Sequence, residues 1–235
     1  MTTNFPSTRT IDPQELEEWT PHKIIAWAVA TFGDDLAMTS SFQQQSVVLL
    51  HIVSWVAPDL PILFLDTGYH FPETLAFKDQ LVEQFGLKNV QVIRPALSQE
   101  AQVAQYGPNL WQTNPDLCCY INKVQPLQEA MRHYRAWITG IRRDQATSRA
   151  NTPIVDVRED GLTKIAPLAN WTEDDVERYA RFHNLPRHPL YDLGYKSIGC
   201  APCTQPVQEG EDPRAGRWAG HAKKECGLHT VFRIK

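Results

Sequence analysis

The five cysteines of this 235-residue chain fall into two tight pairs and a single. Cys118-Cys119 is followed, after 80 residues, by Cys200-Ala201-Pro202-Cys203, and Cys226 stands alone in Lys223-Lys224-Glu225-Cys226-Gly227-Leu228-His229. A lone Cys-x-x-Cys fits a zinc knuckle or a redox dithiol, and tandem cysteines fit two small buried side chains. Taken as four, they favour something larger. Neighbouring side chains on a helix diverge by about 100°, so Cys118 and Cys119 span a bulky group more readily than they clasp one tetrahedral ion. A cubane iron-sulfur cluster offers four corners for four thiolates. Zinc is the weaker fit. Cys226 then has no partner. The thiolate is the nucleophile, favoured by Lys223, Lys224 and His229 and opposed by Glu225. Alone, the stretch also reads as a solvated chain end; the explained set of four makes Cys226 a nucleophile.

The elements that must position these residues alternate. Asp12-Pro13-Gln14-Glu15 starts a helix, with Asp12 as N-cap and Glu15 closing a capping box, and Thr20-Pro21 begins a second that Gly33 ends. Leu36–Ser40, Pro61–Leu65, Val90–Ile93 and Ala136–Ile141 read as strands, separated by helices over Ser46–Trp55 and Pro72–Phe85. Leu162–Ile165 reads as an edge strand, and Thr172 caps a helix to about Asn184. The alternation predicts an α/β fold: a three-layer, doubly wound, mostly parallel sheet with ligands bound beyond the carboxyl ends of the strands. Three polar stretches fall there. Ser40-Ser41-Phe42-Gln43-Gln44-Gln45-Ser46 suits a phosphate or sulfate at a helix start without being a Walker loop. Leu65-Asp66-Thr67-Gly68 offers a carboxylate to a nucleoside, and Gly140-Ile141-Arg142-Arg143-Asp144-Gln145 with Arg149 brings guanidinium forks for anionic oxygens. Each singly reads as an ordinary turn or a solvated face; together they point to an anionic nucleotide.

Lysine and arginine number 23 against 27 acids, a net charge of -4, which gives no general support for nucleic-acid binding. The longest apolar run, Ile24–Phe32, is too short to cross a bilayer, and the start lacks a basic segment followed by an apolar one. A cytoplasmic protein without membrane attachment is expected, and its reducing compartment suits cysteines as ligands or catalytic thiols. The oligomeric state is left open, a homo-oligomer among the options.

Cys-Cys, Cys-x-x-Cys, Leu-Asp-Thr-Gly, Arg-Arg-Asp-Gln and Glu-Cys-Gly-Leu-His in this order resemble the assimilatory, thioredoxin-dependent adenylyl-sulfate (APS) reductases of the APS/PAPS reductase family, over about Ser40 to His229. The resemblance implies the adenine nucleotide alpha hydrolase-like fold of PP-loop type. It implies a 4Fe-4S cluster on Cys118, Cys119, Cys200 and Cys203, and Cys226 as the group that attacks APS. An enzyme S-sulfocysteine and AMP would form, and thioredoxin would then release sulfite. By the same resemblance Ser40, Ser41 and Gln45 match the phosphate turn, Leu65 and Asp66 the nucleoside strand end, Arg142 with Arg143 the arginine loop, and Arg214 and Arg217 the arginines of the phosphosulfate. Lys123 bridges cluster and substrate in similar reductases, and His229 joins the substrate set. The chain then divides into a nucleotide-binding body, 1–204, and a mobile catalytic tail, 205–235. Two positions depart from the family's pattern: the serine turn lacks the common glycine, and Asn122 stands where many APS reductases have arginine, as some PAPS enzymes also do. Reduction of PAPS, or of both nucleotides, is the nearest alternative. A PP-loop tRNA thiolase is remoter, since no Ser-Gly-Gly-x-Asp-Ser turn is present.

Overall fold

The computed structural model describes residues 12–228 with their side chains, that of Gln45 excepted. Six strands, β1 Leu36–Thr39, β2 Ile62–Leu65, β3 Val90–Ile93, β4 Ala136–Ile138, β5 Val155–Val157 and β6 Thr163–Ile165, form one sheet in the order β3-β2-β1-β4-β6-β5. All neighbours run parallel except β5 and β6. The period of two in the strands divides the core between two layers. Leu36 and Met38 of β1, Ile62 and Phe64 of β2, and Ala136 and Ile138 of β4 enter the larger core, which also takes in α2 (Pro21–Phe32), α3 (Val47–Val56), α4 (Pro72–Phe85) and α9 (Glu173–Phe182). Ala37, Leu63 and Trp137 point the other way, onto Leu127 and Met131 of α8 (Gln125–Met131). A sheet covered on both faces is what the nearly continuous apolar strands require. The expected three-layer, mostly parallel architecture is present.

Local signals set most of the boundaries. Thr20 accepts a hydrogen bond from the Lys23 amide at the start of α2, and Gly33 ends it at φ 52°. Thr172 and Asp175 exchange bonds in a full capping box on α9. Three expectations need correction. Asp12 caps Pro13–Glu17 through the Gln14 amide, but Glu15 closes no box; its carboxylate accepts from Trp19 Nε1 at 3.2 Å. The strand drawn over Ala136–Ile141 stops at Ile138, which frees Thr139 to Ile141 for the sheet's carboxyl edge. The segment Leu162–Ile165 forms an interior strand, β6, because the unforeseen three-residue β5 covers its outer edge. Beyond α9 the chain runs in turns, as its proline and glycine content suggests.

β1 pairs with β2 on one side and β4 on the other, so the chain reverses its winding between β1 and β4. Such a switch point leaves a crevice at the strand ends.

Candidate active site

A cleft of about 710 Å³ opens at that crevice. Ser40, Ser41, Leu65, Lys123, Arg142, Arg143, Arg214, Arg217 and Cys226 all line it, although they come from five stretches of sequence. Gln45 contributes a side chain outside the described ones, and His229 lies outside the described residues.

The turn after β1 solves its lack of glycine by strain. Phe42 takes φ 50°, a left-handed conformation uncommon for a bulky residue, and is wholly buried with its ring edge-on to Phe64 at 5.7 Å. Packing therefore enforces what glycine would permit. Ser40 Oγ accepts from the Phe42 amide at 3.0 Å, and the Ser41 and Ser46 hydroxyls lie 3.0 Å apart across the mouth of the turn.

At the end of β2, Asp66 and Thr67 part company. The Asp66 carboxylate accepts from the Gly68 amide at 3.1 Å and pairs with Arg94 at 3.2 Å, and Asp66 is not among the cleft-lining residues. Leu65 and Thr67 are. His70 also lines the cleft: its Nε2 donates to the Leu65 carbonyl at 2.9 Å, which leaves Nδ1 a buried acceptor without a partner among the described residues. Burial, assisted by nearby Lys123, holds His70 below its ordinary pKa despite the Leu65 bond and Asp66.

The Arg-Arg-Asp-Gln loop spends its charge locally. Arg142, 2 % exposed, donates twice to Asp144, whose carboxylate also caps α9 by accepting from the Glu173 amide at 2.7 Å. Arg143 grips Glu17 through two bonds of 2.6 and 2.9 Å and donates to the Thr152 carbonyl. That contact lowers the Glu17 pKa against the smaller effect of burial. Arg217 differs, with no carboxylate partner among the described residues. Its Nη1 donates to the Ile198 carbonyl at 3.2 Å, its guanidinium sits 4.4 Å from the Trp218 ring, and its buried Nε has no partner among the described residues. A buried guanidinium nitrogen without an acceptor on a cleft wall is a ready anion contact.

Cys118, Cys119, Cys200 and Cys203 line a second, smaller cavity beside the cleft, and none is in a disulfide. Cys118 and Cys119 end the helix α7 (Pro115–Cys119), which continues into a π-helical turn, Tyr120–Val124. The Cys200 loop is pinned across from them by the Ala201 amide, which donates to the Tyr69 carbonyl at 2.7 Å. Burial and neighbouring thiols push Cys118 up to about 12 and Cys203 up to about 11, and burial also raises Cys119. Cys200 goes the other way: burial opposes ionisation, but Lys123, the Thr67 hydroxyl 3.4 Å away and Arg217 outweigh it. Among the described residues no three of His, Cys, Asp or Glu converge closely enough to hold a single metal ion. Four sulfurs spread round one cavity, three of them held un-ionised by burial and by one another, suit a larger cationic group. Lys123 and Cys200 line both cavities. Burial opposes the Lys123 charge, yet Cys200, Cys119 and Cys226 keep the ammonium above its ordinary pKa. Asn122 lines only the cysteine cavity. Its amide donates to the Cys118 carbonyl at 2.9 Å, faces Cys118 Sγ at 3.6 Å and exchanges two bonds with Gln102.

The tail crosses the cleft. The Gln205 amide donates to the Gly216 carbonyl and the Trp218 amide to the Cys203 carbonyl, so 204–218 is stitched to the cysteine loop with Trp218 only 3 % exposed. Beyond it, Lys223 pairs with Asp116 and Glu225 with Arg149 and Arg214. Cys226 is half-buried on the cleft wall. Sequence reasoning gave Thr67, His70 and Glu225 no part in the site. Thr67 lies within Leu65-Asp66-Thr67-Gly68, where only the carboxylate reads as a ligand, a histidine five residues past a strand carries no distinguishing pattern, and Glu225 reads only as a local opponent of the thiolate.

The Phosphoadenosine phosphosulfate reductase domain model matches residues 35–206. An Adenosine 5'-phosphosulfate reductase of Streptomyces coelicolor is 49% identical over 92% of this chain and 91% of its own length. A Phosphoadenosine 5'-phosphosulfate reductase of Gloeobacter violaceus is 46% identical over the same shares of each. The crystal structure of the phosphoadenylyl-sulfate (PAPS) reductase from Candida auris, a phosphate complex, superposes with a TM-score of 0.73 at 31% identity, over 87% of this chain and 100% of that one. With a nucleotide-sized cleft at the switch point of its sheet and these similarities along most of its length, the chain belongs to the phosphoadenosine phosphosulfate reductase family.

Proposed function

We propose that the chain reduces adenosine 5'-phosphosulfate to sulfite and AMP, with Cys226 as the nucleophile. The observation that carries this reading is that Cys226 shares one cleft with the serine turn, Lys123 and Arg217, while the other four cysteines line a second cavity that Cys226 does not line, Cys200 bordering both. The Cys226 thiolate attacks the sulfonyl sulfur, a sulfur–sulfur bond forms, and the sulfur–oxygen bond breaks with its electron pair leaving on AMP. A thioredoxin thiolate then attacks Cys226 Sγ, and sulfite departs with the electrons of the sulfur–sulfur bond. The second thioredoxin thiol closes its disulfide and restores the Cys226 thiolate. Lys123 and Arg217 offset charge on the phosphosulfate, the amides and hydroxyls of Ser40 and Ser41 orient its oxygens, and His70 Nδ1 offers an acceptor to a hydroxyl of the nucleoside.

Cys118, Cys119, Cys200 and Cys203 would hold a 4Fe-4S cluster, as four sulfurs converging on one cavity without a disulfide among them support. Its contribution is to fix α7 against the Cys200 loop and to set the field that Lys123 relays to the cleft. Five thiols without a disulfide support a reducing compartment, the cytoplasm, and no described helix is long and apolar enough to cross a membrane. The body and tail divide functionally. We place the hinge after Trp218, later than 205, because of the bonds that stitch 204–218 down.

Charge favours APS over PAPS. Arg142, Arg143, Arg149 and Arg214 already face carboxylates, and of the cleft's described cations Lys123, Arg217 and Lys196 do not, Lys196 lying 4.2 Å from the Tyr191 ring. Lys123 and Arg217 match the charge of a phosphosulfate, which leaves Lys196 alone to meet the further negative charge of a 3'-phosphate. Reduction of PAPS, or of both, is the second reading, favoured by the name of the Gloeobacter relative.

Mixing stoichiometric enzyme with sulfur-labelled APS and no reductant tests the reaction. Label is expected on Cys226 and absent from Cys226→Ser; label elsewhere, or sulfite formed by Cys226→Ser, refutes it. Turnover of APS against PAPS with thioredoxin decides the substrate, and iron content with visible absorption decides the cluster.

A further inference from the structure

The catalytic tail is held shut at a few points of unequal strength. Lys223 reaches Asp116, but the Asp116 side chain is 83% exposed, and solvent weakens such a contact. Glu225 is different. Its carboxylate accepts from Arg149 Nε at 2.9 Å and Arg149 Nη2 at 2.8 Å, a two-pronged grip, with Arg214 Nη2 at 3.3 Å and the Ser148 hydroxyl at 3.2 Å. The Glu225 and Arg149 side chains are only 12% and 11% exposed. Arg214 Nη2 also donates to the Lys224 carbonyl at 2.7 Å, so backbone and side chain are fixed together just before Cys226. The two arginines belong to different parts of the protein. Arg149 sits in the turn Thr147–Arg149 of the sheet body, and Arg214 in the stitched segment 204–218.

We propose that Glu225 is the positioning residue of the tail: clamped between Arg149 and Arg214, it holds Cys226 over the cleft, and its release presents the thiol to the reducing partner. Ordinary loop closure does not need a carboxylate at this position. A charge buried beside the nucleophile and shared by two guanidiniums defines one orientation for the residue that follows. The clamp also takes up the charge of both arginines while the tail is shut. It therefore acts in the attack on substrate and must let go for the second half-reaction. The inference rests on the reading of Cys226 as nucleophile, and its first test is independent of that reading.

In the loaded full-length enzyme without substrate, the rate of Cys226 alkylation by iodoacetamide is followed by the mass of the C-terminal peptide. Glu225→Ala, Glu225→Gln and Arg149→Ala should each raise the rate by about tenfold, as loss of a charge-assisted pair predicts. Glu225→Ala with Arg149→Ala should raise it no further than Glu225→Ala alone, because Arg149 holds the tail through Glu225. Glu225→Asp should recover part of the protection. In single turnover, formation of S-sulfocysteine should slow while release of sulfite from preformed intermediate by thioredoxin is unchanged or faster. Unaltered alkylation in the Glu225 variants, multiplied effects in the double variant, or equal slowing of both half-reactions overturns the clamp. Glu225 belongs to none of the three hydrophobic clusters, so the variants are expected to fold, which circular dichroism checks. If the unsubstituted enzyme forms no S-sulfocysteine, the proposed reaction fails and the alkylation rates still judge the clamp.

Discussion

A Cβ placed on Gly199 would lie 2.2 Å from Nη2 of Arg217. The bare glycine backbone is thus the seat on which the one cleft guanidinium without a carboxylate partner among the described residues rests, next to Cys200 of the cysteine cavity. Gly199→Ala must push Arg217 aside, and since the displaced atoms end a flexible side chain, the fold tolerates it. We expect KM for the nucleotide to rise by about tenfold, the loss of a charge-assisted contact, with the melting temperature nearly unchanged. Steady-state kinetics beside a thermal scan check it; an unaltered KM would show that Arg217 has no hold on substrate.

Phe42 sets packing against backbone strain. Truncation to alanine removes a fully buried ring and should destabilise by about 3 kcal/mol while keeping the unfavourable φ of 50°. Phe42→Gly loses the same ring but relieves the strain, so it should be more stable than Phe42→Ala by about 1 kcal/mol. Urea midpoints of the two variants give the order. The usual order, alanine above glycine, would contradict the left-handed turn.

Asn122 and Gln102 exchange bonds of 2.9 and 3.0 Å in a buried pair that faces away from the cleft. Asn122→Leu strands the Gln102 amide and should cost about 2 kcal/mol, whereas the double leucine variant should cost less than the two single changes summed. Because Asn122 faces Cys118, the visible thiolate-to-iron band should shift while the ratio of APS to PAPS turnover stays put. A changed ratio would assign Asn122 to substrate selection after all.

His188 is buried with Nδ1 accepting from the Leu190 amide and Nε2 at 3.1 Å from the Thr74 hydroxyl. Burial pulls its pKa from 6.5 to about 4, so the unfolded chain takes up a proton that the native state refuses. Its contribution to stability is therefore full above pH 6.5 and is lost as the pH falls toward 4, at up to about 1.4 kcal/mol per pH unit. Comparing denaturant midpoints of the unsubstituted chain and His188→Gln across this window isolates that slope. Parallel curves would rule it out.

The layers of the fold were legible because β1, β2 and β4 fall in continuous apolar runs and because α2 and α9 start at capping threonines, Thr20 and Thr172. The three residues of β5 gave no such signal, so β6 was taken for an edge. At the site, the cysteine spacing and the polar strand ends were readable as types. Their partners were not. Arg143 pairs with Glu17, 126 positions away, and Arg149 with Glu225, 76 away. Those choices arise only once the sheet has brought the segments together. For the same reason Asp66 looked like a ligand for nucleoside, while its carboxylate is engaged by its own turn and by Arg94.

Trp218 is moored, and Cys226 follows eight residues later. Fully stretched, that leash spans at most about 28 Å. A swing of this length carries the sulfur well clear of the crevice without unpicking any strand or helix of the body. A visiting dithiol protein would not have to enter the nucleotide's chamber, so the shape of that chamber is free of any demand to admit a macromolecule.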